Sequence, residues 1–289
     1  MSDLTEQGGA TIQSLLDRAS ALLSSVSESA RLDAEVLLCH CLGKQRSFLR
    51  AWPEQQLNPA QTKQFWHLLE QRRQGRPIAY LTGVREFWSR TFNVTPEVLI
   101  PRPDSELLIE LSLSLLPDKQ ACKIIDMGTG SGILAITLAA ERPLAEVVAT
   151  DISTAALIVA RQNAEQLAVG NVRLLDSDWF NAVTDTDYDL VVSNPPYIAC
   201  DDPHLQQGDL RFEPESALIS GEAGLRDIRL LAEQARGYLK PQGHLLIEHG
   251  YNQPLQVQSI LKQLNYRQVN THLDLSDNPR VTSGIWNPA

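Results

Sequence analysis

The spacing of apolar residues divides the chain into two parts. Up to about residue 75, apolar residues recur at intervals of three and four, which is the spacing of amphipathic helices. Capping residues precede these helices, and glycines follow two of them. The sequence predicts helices from Thr11, with a stripe of Ile12, Leu15, Leu16, Ala19, Leu22 and Leu23; from Ser29 through Leu42 to Gly43; and from Asn58-Pro59 to Gln74 and Gly75.

From residue 122 onward, short apolar runs alternate with helical segments. Such alternation predicts a doubly wound α/β fold, in which helices cover both faces of a mostly parallel sheet. An aromatic-rich stretch from Val84 to Ile100 predicts a β-hairpin. We therefore expect a helical bundle at 1–80, a hairpin linker at 81–103 and an α/β domain at 104–289. Strands are predicted at Cys122–Ile125, Glu146–Asp151, Val172–Asp176, Leu190–Ser193, Gly243–Glu248, Tyr266–Leu273 and Val281–Trp286.

Composition narrows the class of protein. The 289 residues, 43% of them hydrophobic, can bury one large core and one smaller core. No run approaches the ~20 apolar residues of a membrane helix, and residues 1–6 have neither the basic nor the apolar region of a signal peptide. We expect a cytoplasmic protein with reduced cysteines. Cys39 and Cys41 flank His40 in a helical segment, where residues two apart point to different faces, so no metal site is predicted.

The negative charge is concentrated in the α/β part. The chain has a net charge of −10; residues 1–90 hold 11 Lys and Arg against 9 Asp and Glu, which leaves 14 against 26 for the rest. Proteins that bind nucleic acid broadly usually carry the opposite charge. The sequence therefore argues against a phosphate-binding surface on the α/β domain.

A glycine-rich turn follows the first predicted strand of the α/β domain. It reads Asp126-Met127-Gly128-Thr129-Gly130-Ser131-Gly132 and precedes an alanine-rich helix. Glycines let backbone N–H groups and a helix N-terminus approach a polar ligand closely. Dinucleotide folds space their glycines G-x-G-x-x-G, whereas here Ile133 takes the third position. Asp151 ends the next strand, where a carboxylate can accept both hydroxyls of a ribose.

The tetrapeptide Asn194-Pro195-Pro196-Tyr197 leaves another predicted strand. Two prolines restrain the backbone, so the carboxamide of Asn194 has a defined direction. Its oxygen and the main-chain oxygen of Pro195 are two acceptors that suit a substrate NH2 group, and Tyr197 offers a flat ring. A Pro-Pro turn that merely closes a strand is the alternative.

Three further features remain open on sequence grounds. The polar stretch from Ile198 to Leu225 has no clear period and is predicted to form a lip over the substrate site. Glu248 is either a carboxylate at the sheet edge or a group that orients a neighbour, and we do not predict it to be catalytic. Three of the six histidines are expected to be surface or satisfied polar residues: His204, His244 and His249.

Together these residues resemble one family, the bacterial peptide chain release factor glutamine N5-methyltransferases (PrmC or HemK). The resemblance covers most of the chain from about Arg76 onward. The glycine turn and Asp151 are shared by many methyltransferases that use S-adenosylmethionine, so only the full set of blocks indicates release factors. These blocks are Leu99–Glu106, Asp126–Gly132, Asp151, Ser177–Trp179, Asn194–Tyr197, Arg211–Pro214 and Glu248–Gly250.

The resemblance implies a fold and a cofactor. The fold is the class I methyltransferase sheet of roughly seven strands, the last antiparallel, with a small N-terminal helical domain that docks release factors 1 and 2. The cofactor is S-adenosylmethionine, which becomes S-adenosylhomocysteine, and Asp178 is expected beside Trp179 as a partner for the adenine amine. Cofactor-binding residues are then Gly128, Thr129, Gly130, Ser131, Gly132, Asp151, Trp179 and Asn194.

The resemblance also implies the reaction. Asn194 and Pro195 would be the catalytic pair that holds the glutamine amide of the Gly-Gly-Gln motif, and Pro196 and Tyr197 would enclose its side chain. No catalytic base is needed, since the amide proton becomes acidic only after methylation. We expect a monomer without direct nucleic-acid or membrane contacts. The alternative function is a methyltransferase for an exocyclic amine of nucleic acid, such as adenine N6, because that NH2 group would meet the same acceptors.

Overall fold

The computed structural model of the protein describes residues 11–288, which form two units. Residues 11–83 join 206–212 in a helical unit, and residues 84–205 join 213–288 in an α/β unit. Residues 1–6, for which the sequence predicts no signal peptide, lie outside the described range. No helix within that range is long and apolar enough to cross a bilayer.

Among the described residues, the helical unit contains five α-helices and a short 3-10 helix at Leu210–Phe212. The caps behave largely as predicted: the Thr11 hydroxyl accepts from the N–H of Ser14, and Asn58 forms a capping box with Gln61. Ser29, however, bonds to the Asp33 carboxylate and caps no backbone group. The helices are α1 Ile12–Leu23, α2 Ala30–Leu42, α3 Arg46–Ala51, α4 Pro59–Arg73 and α5 Ile78–Thr82.

The core of this unit follows the predicted stripe with one exception. Ile12, Leu15 and Ala19 are fully buried, whereas Leu22 is 42% exposed. The prediction for Leu22 was wrong because adjacent residues on a helix point about 100° apart, and Leu23 takes the inward direction. The short helices α3 and α5 were not predicted, since segments of six and five residues are too short to show a period.

The α/β unit contains a hairpin and a seven-stranded sheet. Phe87 and Phe92 of the hairpin are buried, and Trp88 and Ser89 form its turn with positive φ angles of 52° and 56°. The hairpin strands end earlier than predicted, at Asn93. The strands are β1 Val84–Phe87, β2 Arg90–Asn93, β3 Lys123–Met127, β4 Glu146–Asp151, β5 Val172–Asp176, β6 Tyr188–Ser193, β7 Leu239–Glu248, β8 Arg267–Leu273 and β9 Pro279–Ile285.

The predicted fold class is confirmed by the strand order β5-β4-β3-β6-β7-β9-β8. Strands β3 to β7 pair in parallel, and β9 is antiparallel to both β7 and β8. Two apolar cores lie on the two faces of the sheet, as a doubly wound fold requires. The helices of this unit are α6 Glu106–Leu115, α7 Ile133–Glu141, α8 Thr154–Gln166, α9 Gly221–Gly224, α10 Arg226–Ala235 and α11 Pro254–Gln263. Of these, α9 is a single turn in which Glu222 and Ala223 have positive φ angles.

Candidate active site

Four neighbouring strands end side by side at one edge of the sheet. At each strand end, a candidate functional residue is either the last residue of the strand or the residue directly after it. Met127 of β3 pairs with Thr150 of β4 and with Ser193 of β6. Ser193 in turn pairs with Ile247 of β7. Because β4 and β6 flank β3, the chain leaves β3 toward one side and later returns on the other, and ligands bind at such a switch point. The residues that directly follow these four paired residues are Gly128, Asp151, Asn194 and Glu248.

A cavity of about 320 Å³ opens at this row of strand ends. The structure brings most predicted site residues to its wall. Gly132, Pro195 and Tyr197 are predicted site residues that do not line the cavity. Those that line it are Gly128, Thr129, Gly130, Ser131, Asp151, Trp179, Asn194 and Pro196, together with Asp178.

The glycine turn presents its backbone to the cavity. Gly128 and Gly130 have positive φ angles of 74° and 56°, and an added Cβ at Gly130 would meet no atom within 4 Å. Gly132 serves a different purpose, since its Cβ would lie 2.6 Å from Cδ1 of Ile136 and 3.2 Å from Cβ of Ala160. Gly132 therefore allows α7 and α8 to pack closely below the turn.

Asp151 connects the turn to the end of β4. Its Oδ2 accepts from the N–H of Gly130 at 2.8 Å, and its Oδ1 accepts from the N–H of Ser153 at 2.9 Å. Burial raises the pKa of Asp151, and these backbone hydrogen bonds oppose that rise. Each carboxylate oxygen has a second lone pair. The half-buried side chain can therefore still accept hydrogen bonds from a ligand in the cavity.

Asp126 is a fully buried carboxyl beneath the turn. Its Oδ2 accepts from the Thr129 hydroxyl at 2.7 Å and from the N–H of Ala135 at 3.2 Å. Its Oδ1 has no partner among the described residues. Burial raises the pKa of Asp126 to about 7. No residue pattern predicts this shift, because it depends on how deeply the end of β3 is covered.

Asn194 and Pro195 leave two oxygen acceptors without protein partners. Nδ2 of Asn194 donates to Oγ of Ser105 at 3.2 Å. Within residues 11–288, neither Oδ1 of Asn194 nor the main-chain oxygen of Pro195 accepts a hydrogen bond. Asn194 is half-buried and lines the cavity, whereas Pro195 is buried and does not line it.

Tyr197 packs behind the acceptor pair. Its hydroxyl donates to Oε1 of Glu248 at 3.4 Å, and its main-chain oxygen accepts from Nε2 of Gln253 at 3.0 Å. Burial raises the pKa of Tyr197 above its usual value, so the phenol stays neutral. Gly224 must be glycine here, because its Cβ would lie 2.0 Å from the Tyr197 oxygen.

Residues far along the chain complete the wall. Arg102 lines the cavity and pairs with the buried carboxylate of Glu213, which also accepts from the N–H of Ile100 at 3.0 Å. The stretch predicted to form a lip contributes Pro214, Ser216, Ala217 and Ile219 to the wall. Among residues 11–288, no group of three or more His, Cys, Asp or Glu residues is arranged to hold a metal ion.

Known proteins match this chain over nearly its whole length. Residues 14–83 match the PrmC N-terminal domain, and residues 104–207 match the methyltransferase small domain. The release factor glutamine methyltransferase of Shewanella oneidensis is 47% identical over 264 residues, which are 91% of this chain and 92% of the relative. That of Escherichia coli is 49% identical, covering 90% and 94%. The chain belongs to the release factor glutamine methyltransferase family.

Solved structures of other methyltransferases share the fold. A methyltransferase from Pyrococcus furiosus superimposes with a TM-score of 0.52 at 18% identity, covering 68% of this chain and 89% of that protein. A 16S rRNA N2 G1207 methyltransferase from Thermus thermophilus, solved with AdoMet and guanosine, also gives 0.52, at 20% identity and covering 71% and 50%. At such identities the similarity concerns the fold alone.

Two of the sequence blocks that resemble this family contain residues for which the sequence predicted no contact. Ser105 and Arg102 lie in the Leu99–Glu106 block and Glu213 in the Arg211–Pro214 block. The fold shows their contacts: Arg102 meets Glu213, and Ser105 meets both Asn194 and Glu248. No spacing along the chain indicates these pairs, because each joins elements that are distant in sequence.

Proposed function

We propose that this protein transfers a methyl group from S-adenosylmethionine to the side-chain amide nitrogen of the glutamine in the Gly-Gly-Gln motif of release factors 1 and 2. The observation that carries the proposal is the unpaired oxygen of Asn194 on the cavity wall, at the same strand-end row as the glycine turn and Asp151; the main-chain oxygen of Pro195, next along the chain, also has no protein partner among residues 11–288. The names of the relatives support this choice of substrate.

The cavity suits the proposed cofactor. The open space at Gly130 and the exposed backbone of Gly128 leave room for a ligand against the turn. We assign Asp151 to the ribose hydroxyls, and Trp179 and Asp178 to the adenine. When bound, S-adenosylmethionine supplies an electrophilic methyl group on a sulfonium. Thr129 and Ser131 line the same wall, and the Thr129 hydroxyl is bonded to Asp126 below it, whereas Gly132 allows close packing beneath the turn.

An amide nitrogen is a weak nucleophile, since its lone pair is delocalised into the carbonyl group. Positioning must therefore carry the rate. In the proposed mechanism Oδ1 of Asn194 and the main-chain oxygen of Pro195 accept the two hydrogens of the glutamine NH2. These contacts aim the nitrogen lone pair and stabilise the positive charge that develops on nitrogen. As the nitrogen gains the methyl carbon, the bond from that carbon to the sulfonium would break and leave S-adenosylhomocysteine, and the nitrogen would then release one proton to water.

The acidic charge of residues 91–289 bears on the choice between substrates. This part holds 14 Lys and Arg against 26 Asp and Glu, which repels a nucleic-acid backbone. A protein loop is therefore the better substrate for this surface than a DNA strand. We further propose that the helical unit docks the release factor, that the enzyme acts as a monomer, and that it works in the cytoplasm where release factors act.

A transfer assay tests the function. The purified full chain is incubated with methyl-labelled S-adenosylmethionine and release factor 1, with a release factor whose motif glutamine is replaced by glutamate, or with double-stranded DNA. We expect label only in the unaltered release factor. Label in DNA and none in the release factor would overturn the proposal in favour of an exocyclic-amine methyltransferase.

A further inference from the structure

A chain of hydrogen bonds links Asn194, Ser105 and Glu248, of which Asn194 and Ser105 line the cavity and Glu248 does not. Oγ of Ser105, at the start of α6, donates to Oε2 of Glu248 at 2.7 Å, and Nδ2 of Asn194 donates to the same Oγ at 3.2 Å. Ser105 is fully buried, and Glu248, the last residue of β7, is 1% exposed. Water is thus excluded from both polar groups, which makes each contact costly to lose.

Donor and acceptor chemistry gives this chain a direction. An ionised carboxylate can only accept hydrogen bonds, so the single hydroxyl hydrogen of Ser105 points to Glu248. The Ser105 oxygen then faces Asn194 with lone pairs alone, and it can bind only the NH2 end of the carboxamide. As a result the other end, Oδ1 of Asn194, faces the cavity.

We propose that Glu248 and Ser105 are positioning residues that act through Asn194, because they select the one of two carboxamide orientations in which the oxygen meets the substrate. This inference rests on the proposed function. In the opposite orientation the NH2 group of Asn194 would face the NH2 group of a glutamine, and two donors cannot bond to each other. A rotation of about 180° at a single side chain would thus remove one of the two substrate acceptors.

The charged state of Glu248 decides whether the chain keeps its direction. Burial raises the pKa of Glu248 to about 7; the hydrogen bond from Ser105, the guanidinium of Arg280 and the hydrogen bond from Tyr197 oppose this rise, and Asp104 adds to it. A protonated carboxyl can donate to Ser105, which frees the serine hydrogen to bind Oδ1 of Asn194. The correct orientation is therefore secured above the pKa of Glu248 and lost as the pH falls through it.

If these buried hydrogen bonds only stabilised the fold, substitutions in them would have different consequences. Ser105 and Glu248 join α6 to the sheet, so their removal would lower the stability of the fold and with it every activity. The positioning role predicts a loss confined to kcat, with binding of the cofactor product unchanged. Ser112 is a matched control, because it is also fully buried in α6 but donates only to the main-chain oxygen of Leu108, at 2.6 Å.

The experiment uses the full chain carrying Ser105→Ala, Ser105→Thr or Ser112→Ala. Steady-state kinetics measure the methylation of release factor 1, and calorimetry measures the dissociation constant of S-adenosylhomocysteine. For Ser105→Ala we expect kcat to fall roughly tenfold, the effect of losing the one hydrogen bond that orients Asn194, with the dissociation constant unchanged. Ser105→Thr retains the hydroxyl and should recover kcat, and Ser112→Ala should match the unaltered enzyme. Equal kcat in Ser105→Ala and Ser112→Ala would overturn the inference.

The dependence of kcat on pH in Glu248→Gln gives a second, independent readout. If Ser105→Ala fails to bind S-adenosylhomocysteine, this pH profile alone tests the inference. The unaltered enzyme should lose kcat as the pH falls through about 7. Glu248→Gln cannot change its charge and should show a lower kcat without that acid limb. An acid limb that persists in Glu248→Gln contradicts the inference. Failure of the unaltered enzyme to methylate release factor would instead refute the proposed function.

Discussion

The two sides of the cavity are built in different ways. On the side of the glycine turn, the contact that shapes the wall joins Gly130, in the turn after β3, to Asp151, 21 residues away at the end of the adjacent strand β4. On the side of Asn194, the carboxamide depends on Ser105, 89 residues away, and Ser105 depends on Glu248, 143 residues away. The first side is shaped by backbone conformation, and the second by side chains from distant elements.

This difference predicts which property a substitution on each side of the cavity should change. Damage to the glycine turn strains the backbone, so it should lower stability or cofactor affinity. Damage around Asn194 misorients one functional group, so it should lower the rate and leave the fold intact. Four substitutions or pairs of substitutions, ordered by expected effect, test this contrast.

Asn194→Ala should have the largest effect. Loss of the aimed acceptor leaves the substrate nitrogen poorly oriented, so we expect kcat to fall by at least roughly 100-fold. Binding of S-adenosylhomocysteine, measured by calorimetry, should change little, since the turn and Asp151 remain. Asn270→Ala, at an exposed asparagine of β8, is the control. Full activity in Asn194→Ala would refute the mechanism.

Gly132→Ala should destabilise the fold more than Gly130→Ala. Both residues have positive φ angles, but only at Gly132 would the new Cβ collide, at 2.6 Å from Ile136. We expect Gly132→Ala to lower the free energy of unfolding by about 2–4 kcal/mol, and Gly130→Ala by about 1–2 kcal/mol. Urea unfolding measures both. Equal losses would mean that packing below the turn contributes little.

Asp151→Asn should weaken cofactor binding. The carboxamide offers one acceptor oxygen in place of two, so it cannot hold Gly130, Ser153 and a pair of ribose hydroxyls together. We expect the dissociation constant of S-adenosylhomocysteine to rise by roughly tenfold, with kcat at saturating cofactor changed less. Asp176→Asn, at the exposed end of the neighbouring strand β5, is the control. Equal affinities in the two variants would argue against the ribose assignment.

Each side of the cavity has a buried carboxyl group, Asp126 or Glu248. Both groups should make the free energy of unfolding fall as the pH rises. Burial raises the pKa of Asp126 and of Glu248 to about 7, well above the unfolded values. Between about pH 4 and 7 the folded state holds protons that the unfolded state has released, so the free energy of unfolding declines as the pH rises through this window.

The measurement compares urea unfolding at pH 5 and pH 7.5 in the absence of ligand. Asp126→Asn and Glu248→Gln should each reduce the pH-dependent decline, by at least about 1 kcal/mol. The carboxamides retain the shape of the side chains and cannot ionise. A decline that stays the same in both variants would show that other groups cause it.

Sequence patterns were sufficient for the order of elements and for the local motifs. Strands β4 and β5 match their predicted limits, and the N-cap at Asn58 and the helix end at Gly43 lie where the sequence predicts them. Such features depend on residues within a few positions of one another, so composition and spacing record them. Exposed Leu22, and α3 and α5, show the limit of this approach for short or ambiguous periods.

By itself, the sequence determined which chemical groups are present at the strand ends: the glycine turn, Asp151 and the Asn194-Pro195 acceptors. Only the tertiary structure decided which way those groups face and how they titrate. The orientation of Asn194 follows from Ser105 and Glu248, and the raised pKa of Asp126 follows from its complete burial. Burial and long-range pairing arise when distant segments pack together, and no local pattern along a chain encodes them.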